Sequence, residues 1–173
     1  VVAGPLVIRW SSFTNSMQYG KAGDDVAVVT YQLVAGYDDD IVLSRMFITA
    51  LATDEAGNSI DPRAVIGEVK MYGNYVAEKN LWAEGIMLPS GVVSFILPTY
   101  AFHVPYGASM LSTITFKVLP GTAPGTRIQL ALFPTTTNGI ASVFARGRIS
   151  GLNAVNARTI QEPLYSRDVV IVD

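Results

Sequence analysis

Three acidic clusters are the first places where residue type and spacing can do chemistry. They are Asp24-Asp25, Asp38-Asp39-Asp40 and the stretch Asp54-Glu55-Ala56-Gly57-Asn58-Ser59-Ile60-Asp61. Calcium takes oxygen ligands from loops of this composition, which makes Asp54, Asn58 and Asp61 candidate ligands and calcium the one candidate cofactor. The spacing departs from a helix-loop-helix calcium loop, because Ala56 holds the third position and Asp61, not Glu, ends a shorter run. The same residue types are turn formers, so a plain turn is the competing reading. The lone His103 would need a serine and a carboxylate for nucleophilic catalysis, and no Gly-x-Ser-x-Gly elbow is present. Glu78 and Glu84 flank Trp82 as a glycosidase pair would, but they lie on a polar, hairpin-like stretch where charge ordinarily solvates. Tyr72, Tyr75 and Trp82 are candidate glycan contacts, with burial in the core as the alternative. No phosphate-binding or dinucleotide-binding glycine loop is present. Arg146, Arg148, Arg158 and Arg167 are too dispersed for a nucleic-acid stripe. These features set no catalytic group together, and the expectation is a protein that is not an enzyme.

The elements that would position such residues are short and extended. In 173 residues, hydrophobic types make up 50% and charged types 15%, against about 25% charged in soluble domains generally. The near-neutral balance of −2 argues against nucleic acid as a partner, and the absence of cysteine excludes disulfides and thiolate metal sites. No apolar run approaches the ~20 residues of a membrane-spanning helix. The chain begins at Val1 rather than Met, as it would after removal of an export leader or in an excised fragment. Leu6–Trp10, Asp25–Val34, Ile41–Leu51, Ala64–Tyr72, Gly91–Leu97, Ser112–Leu119, Thr126–Phe133, Ser142–Arg146 and Asp168–Asp173 read as strands. Glycine, proline and acidic turns separate them. The expectation is one all-β domain over 1–173, an immunoglobulin-like or jelly-roll-like antiparallel sandwich.

The middle of the chain resembles the immunoglobulin-like β-sandwich domains of prokaryotic cell-surface and S-layer proteins. Ala22–Ala35, Asp39–Thr49, Gly67–Gly73 and the composite Val104–Ser109, Ile114–Val118 and Gly121–Leu132 carry the likeness. It spans roughly residues 20 to 150 and consists of strand-and-turn patterns. It implies a fold, an extracellular setting and a structural, adhesive or assembling role.

The apolar terminus then acquires a candidate role. Residues 1–12, with Val1, Val2, Leu6, Val7, Ile8 and Trp10 as contacts, can fill their own sheet or be donated as a strand to a neighbour. The leading expectation is a self-assembling extracellular subunit, a homopolymer forming a filament or surface lattice by strand addition. Removal of Val1 to Arg9 should then leave a folded monomer. The alternatives are a viral jelly-roll coat protein and a carbohydrate-binding or adhesive module that contacts cell-surface glycans.

Overall fold

The computed structural model describes residues 5–11, 18–36, 39–74, 76–98, 103–136 and 138–173. Among them are thirteen strands and no α-helix. They are β1 (Val7–Trp10), β2 (Gln18–Lys21), β3 (Asp25–Val34), β4 (Ile41–Thr53), β5 (Ile66–Gly73), β6 (Leu81–Met87) and β7 (Val92–Ile96). β8 (His103–Val104), β9 (Ser109–Val118), β10 (Arg127–Leu132), β11 (Val143–Gly147), β12 (Leu164–Tyr165) and β13 (Val169–Val172) follow. Two 3-10 turns, Pro62–Ala64 and Glu78–Asn80, are the only helical pieces among the described residues.

The strands form one curled sheet that packs on itself as a sandwich. Layer A runs β1-β3-β9-β5-β6 and layer B runs β6-β7-β4-β10-β13-β2. All pairings are antiparallel except β13 with β2. Strand β6 belongs to both layers: Leu81 to Gly85 pair with β5, while Ile86 and Met87 pair with β7. Alternation builds the core, since successive side chains on a strand point to opposite faces. Met46, Ile48, Ala50 and Ala52 of β4 face Ile114, Phe116 and Val118 of β9 across one continuous buried cluster. A long β4 holds β7 and β8 on one side and β10 and β11 on the other. Its register slips at Ser44, where β11 passes from Phe144 to Ala145.

Strand β1 sits in its own chain's sheet. Val7, Ile8, Arg9 and Trp10 oppose Val34, Leu33, Gln32 and Tyr31 of β3. Its other side is taken as well: the Leu6 amide donates to the Ala154 carbonyl and the Ile8 amide to the Thr159 carbonyl, both at 2.8 Å. The Ala154 amide in turn donates to Ala145 of β11, and Gly147 to Leu152. The segment 152–159 therefore closes the sandwich from β11 back to β1. The second side of β1 is thus partly taken within the chain. This is the own-sheet placement, one of the two that the sequence allows. Leu6 and Ile8 are 0% and 3% exposed, so they can reach another copy only by leaving this core. Val1 and Val2 lie outside the described residues.

Candidate functional site

Of the acidic clusters, Asp54–Asp61 forms turns, Asp25 begins β3, and Asp38 lies outside the described residues. Asp54 accepts from the Asn58 amide (2.8 Å) and from Asn58 Nδ2 (3.1 Å). The loop then closes through an isolated bridge between Thr53 and Ser59. Asp61 caps the 3-10 turn at Pro62 and forms an ion pair with Arg63 at 2.8 Å. Both carboxylates sit below the usual range, Asp54 through its Asn58 hydrogen bonds and Asp61 through Arg63. Asp54 and Asn58 are thus engaged with each other, and Asp61 with Arg63. Among the described residues no three His, Asp or Glu side chains cluster as a metal site.

Asp39 and Asp40 of the second cluster form a staple. Asp39, with little exposure, accepts from the amides of Ile149 and Ser150 at 3.0 Å each. Asp40 accepts from the Tyr106 amide and meets Arg148 at 3.6 Å. Together they tie the start of β4 to the turn after β11. The Ser150 amide is the main cause that lowers the Asp39 carboxyl below its ordinary value. A carboxylate with a depressed folded pKa contributes stability above its unfolded pKa and loses it as pH falls through the folded one. We therefore expect the urea midpoint to fall below about pH 4, and to fall less steeply in Asp39→Asn than in the parent chain.

Of the aromatic trio, Tyr72 and Trp82 lie on different sides of layer A. Trp82 packs against the core with its indole over Gly73, where a β-carbon would lie 2.2 Å from the ring. Tyr72 lies instead on the outward side of layer A, in a hollow with Lys70. Tyr75 lies outside the described residues. Glu78 sits in a 3-10 turn, and Glu84 lies opposite Lys70 on β5. His103 is half-buried opposite Val42.

The two outer faces differ in character, which sequence reading missed. Layer A is polar outside. Arg9 donates to Gln32 at 2.8 Å, the Thr30 and Thr113 hydroxyls meet at 3.1 Å, and Lys70 pairs with Glu68 at 3.4 Å. Layer B is apolar outside. One row across it reads Ile96, Arg45, Phe144, and the next reads Ile86, Ser94, Phe47. A third reads Val92, Thr49, Ala131, Tyr165, of which Val92 and Ala131 are buried and Tyr165 is exposed. Ile86 and Ile96 are 62% and 60% exposed, and Phe144, Leu51 and Tyr165 are also exposed. Phe144 meets Phe47 edge-on at 6.3 Å, and the Arg45 guanidinium lies 4.9 Å from the Phe47 ring centre. Beside Phe144 a hollow of about 360 Å³ is lined by Ser44, Arg146 and Asn153. At the outward positions of β7, β4, β10, β11, β13 and β2 the charged residues are Lys21, Arg45, Arg127 and Arg146, while Glu84 lies two residues from Ile86 on the same side of β6.

No protein-family model matches this chain, and no curated protein matches it. Among solved structures, the sixth cohesin of Acetivibrio cellulolyticus scaffoldin B, solved with a dockerin, is 13% identical. It has a TM-score of 0.48, covering 98% of this chain and 99% of that one. CaCohA2 of Clostridium acetobutylicum gives 12%, 0.48, 98% and 92% in the same order. The seventh ScaB type I cohesin of Pseudobacteroides cellulosolvens gives 12%, 0.41, 97% and 91%. Likeness at this level is one of β architecture alone. The chain is an all-β protein, an antiparallel sandwich curled from a continuous sheet.

Proposed function

We propose that this chain is a non-enzymatic structural module of the cell exterior that assembles with copies of itself through the outer face of layer B. The observation that carries the reading is that face: exposed isoleucines and aromatics, with four cations among its outward strand positions and Glu84 at its β6 margin. Protein interfaces are enriched in aromatics and arginine and depleted in carboxylates, and apolar patches of this kind on a soluble surface mark docking sites. The contact is between faces, and strand β1, the candidate for addition, lies in its own chain's sheet with Leu6 and Ile8 in the core.

Charge selects the geometry. The chain carries −2 overall. Setting aside the four cations of layer B leaves 8 basic against 14 acidic residues, or −6, on the rest. Two copies of the cationic face brought together would oppose like charges, whereas that face against the carboxylate-bearing remainder of the next copy is complementary. A head-to-tail contact of this kind repeats into a filament or lattice unless its rotation closes a ring.

Sedimentation and negative-stain imaging of the purified chain test it. The parent chain should form open assemblies that grow with concentration and weaken between about 0.05 and 0.5 M salt, as screening predicts. Ile86→Asp combined with Ile96→Asp should leave a monomer with the parent's melting temperature. A parent chain that stays monomeric throughout, or a double variant that assembles as the parent does, overturns the proposal.

A further inference from the structure

Layer A carries a second surface feature that assembly through layer B leaves unused. A hollow of about 270 Å³ opens on its outer side, lined by Asp25, Ala27, Lys70, Tyr72, Val76 and Thr115. The register explains why it is there. Ala27, Thr115 and Lys70 lie in one row across β3, β9 and β5. Ala27 and Thr115 have short side chains and make a low floor. Tyr72 stands two residues along β5 from Lys70, and Asp25 two residues along β3 from Ala27, so both project from the same face. Beyond the floor the next row is closed by the paired hydroxyls of Thr30 and Thr113.

We infer that this hollow is a binding site for a neutral polyhydroxyl ligand, one sugar ring of a glycan chain. It combines one acceptor-only group (Asp25), one donor-only group (Lys70), a hydroxyl (Thr115) and an aromatic ring (Tyr72). A sugar hydroxyl both donates and accepts. Neighbouring hydroxyls on one ring therefore satisfy a carboxylate and an ammonium together, with no net charge required of the ligand. Tyr72 and Val76 supply an apolar wall for the C–H face of the ring, with the phenol hydroxyl at the wet rim. A single carboxylate makes a poor cage for calcium, and Asp25 disfavours an anion held by Lys70. The volume lies just below the ~300–1,000 Å³ of sites for larger ligands, which suits one ring rather than a bulky cofactor. Glu68 and Glu84 favour the charged form of Lys70, Glu68 foremost through its hydrogen bond, which keeps the ammonium a donor.

Calorimetric titration of the intact chain tests this with three probes, the β-1,4-linked hexaoses of glucose, xylose and N-acetylglucosamine. Glycine betaine serves as a zwitterionic control that would also satisfy an Asp–Lys pair. Saturable binding of at least one hexaose is expected. Asp25→Asn and Tyr72→Ala should each weaken it about tenfold or more. Asp25→Asn, at an exposed position, should keep the parent's melting temperature, which guards against a folding artefact. No binding of any hexaose, binding of betaine alone, or hexaose binding undiminished by Asp25→Asn overturns the inference. Assembly through layer B is read by sedimentation without glycan, so either proposal can fail while the other stands.

Discussion

Replacing Leu6 and Ile8 together with alanine is expected to cost this chain most of its stability. Both side chains are buried and belong to the shared core. A buried Leu or Ile cut to Ala loses about 2–5 kcal/mol, from lost transfer energy and the cavity left behind. The two are near neighbours, so the sum is not strictly additive. Even the lower end of about 4 kcal/mol is a large share of the ~5–15 kcal/mol that holds a typical domain together. Equilibrium denaturation should show the midpoint falling steeply, with much of the protein unfolded before denaturant is added. This reverses the outcome expected of a donated strand, where weakening β1 would leave a folded monomer. A double variant that is as stable as the parent but has lost its assembly would return the strand to that role. The cause of the difference is the carbonyls of Ala154 and Thr159, which take the amides of Leu6 and Ile8. A segment with no strand pattern of its own closes the edge that the apolar terminus would otherwise present.

That segment also marks the limit of what the chain discloses as a string. Strands whose two faces differ were legible: in β9, Ile114, Phe116 and Val118 alternate with Thr113, Thr115 and Lys117, and all three apolar residues are buried. Turns rich in Asp, Asn and Gly were legible for the same local reason. Strand β6 was not. Its sequence, LWAEGIM, mixes faces because it changes layers midway, so no single alternation runs through it. The short β2, β8 and β12 gave too few residues for a period to register. The apolar face of layer B was hidden more deeply, for it exists only through register. Arg45 and Phe144 lie far apart in sequence, and pairing between β4 and β11 sets them opposite each other. Tyr72 and Trp82 illustrate the converse. Ten residues apart and chemically alike, they were read together as candidate glycan contacts, but the indole lies over the bare backbone of Gly73 on the core side, while Tyr72 stands outside.

The layer change in β6 rests on one missing methyl group, and restoring it should be among the most damaging small substitutions in the molecule. Gly85 is the last β6 residue to pair with β5, and Ile86 is the first to pair with β7. A β-carbon at position 85 would lie 2.4 Å from Val93 Cγ1 and 3.0 Å from Phe95 Cε1. Val93 and Phe95 are both fully buried, so neither can swing into solvent to make room. In an unhindered strand, exchanging glycine for alanine gains roughly 0.5–1 kcal/mol from backbone entropy. Here overpacking outweighs that gain. A cost of about 2–3 kcal/mol is expected, which lowers the melting temperature by roughly 4–12 °C for a chain of this size. Gly67→Ala is the matched control: its β-carbon would meet the Leu119 Cδ2 methyl at 3.1 Å, a side chain that is only half-buried and can shift. Its effect should stay within about 1 kcal/mol of zero. The clash itself is isolated by a double-mutant cycle, since Val93→Ala removes the methyl that the new β-carbon strikes. Gly85→Ala with Val93→Ala should cost less than the sum of the two single changes by about 1 kcal/mol or more. Simple additivity in that cycle would mean that Gly85 is required for its backbone angles and not for the close approach of the two layers. The curl that joins the polar face to the apolar one would then have to be sought in the flanking residues.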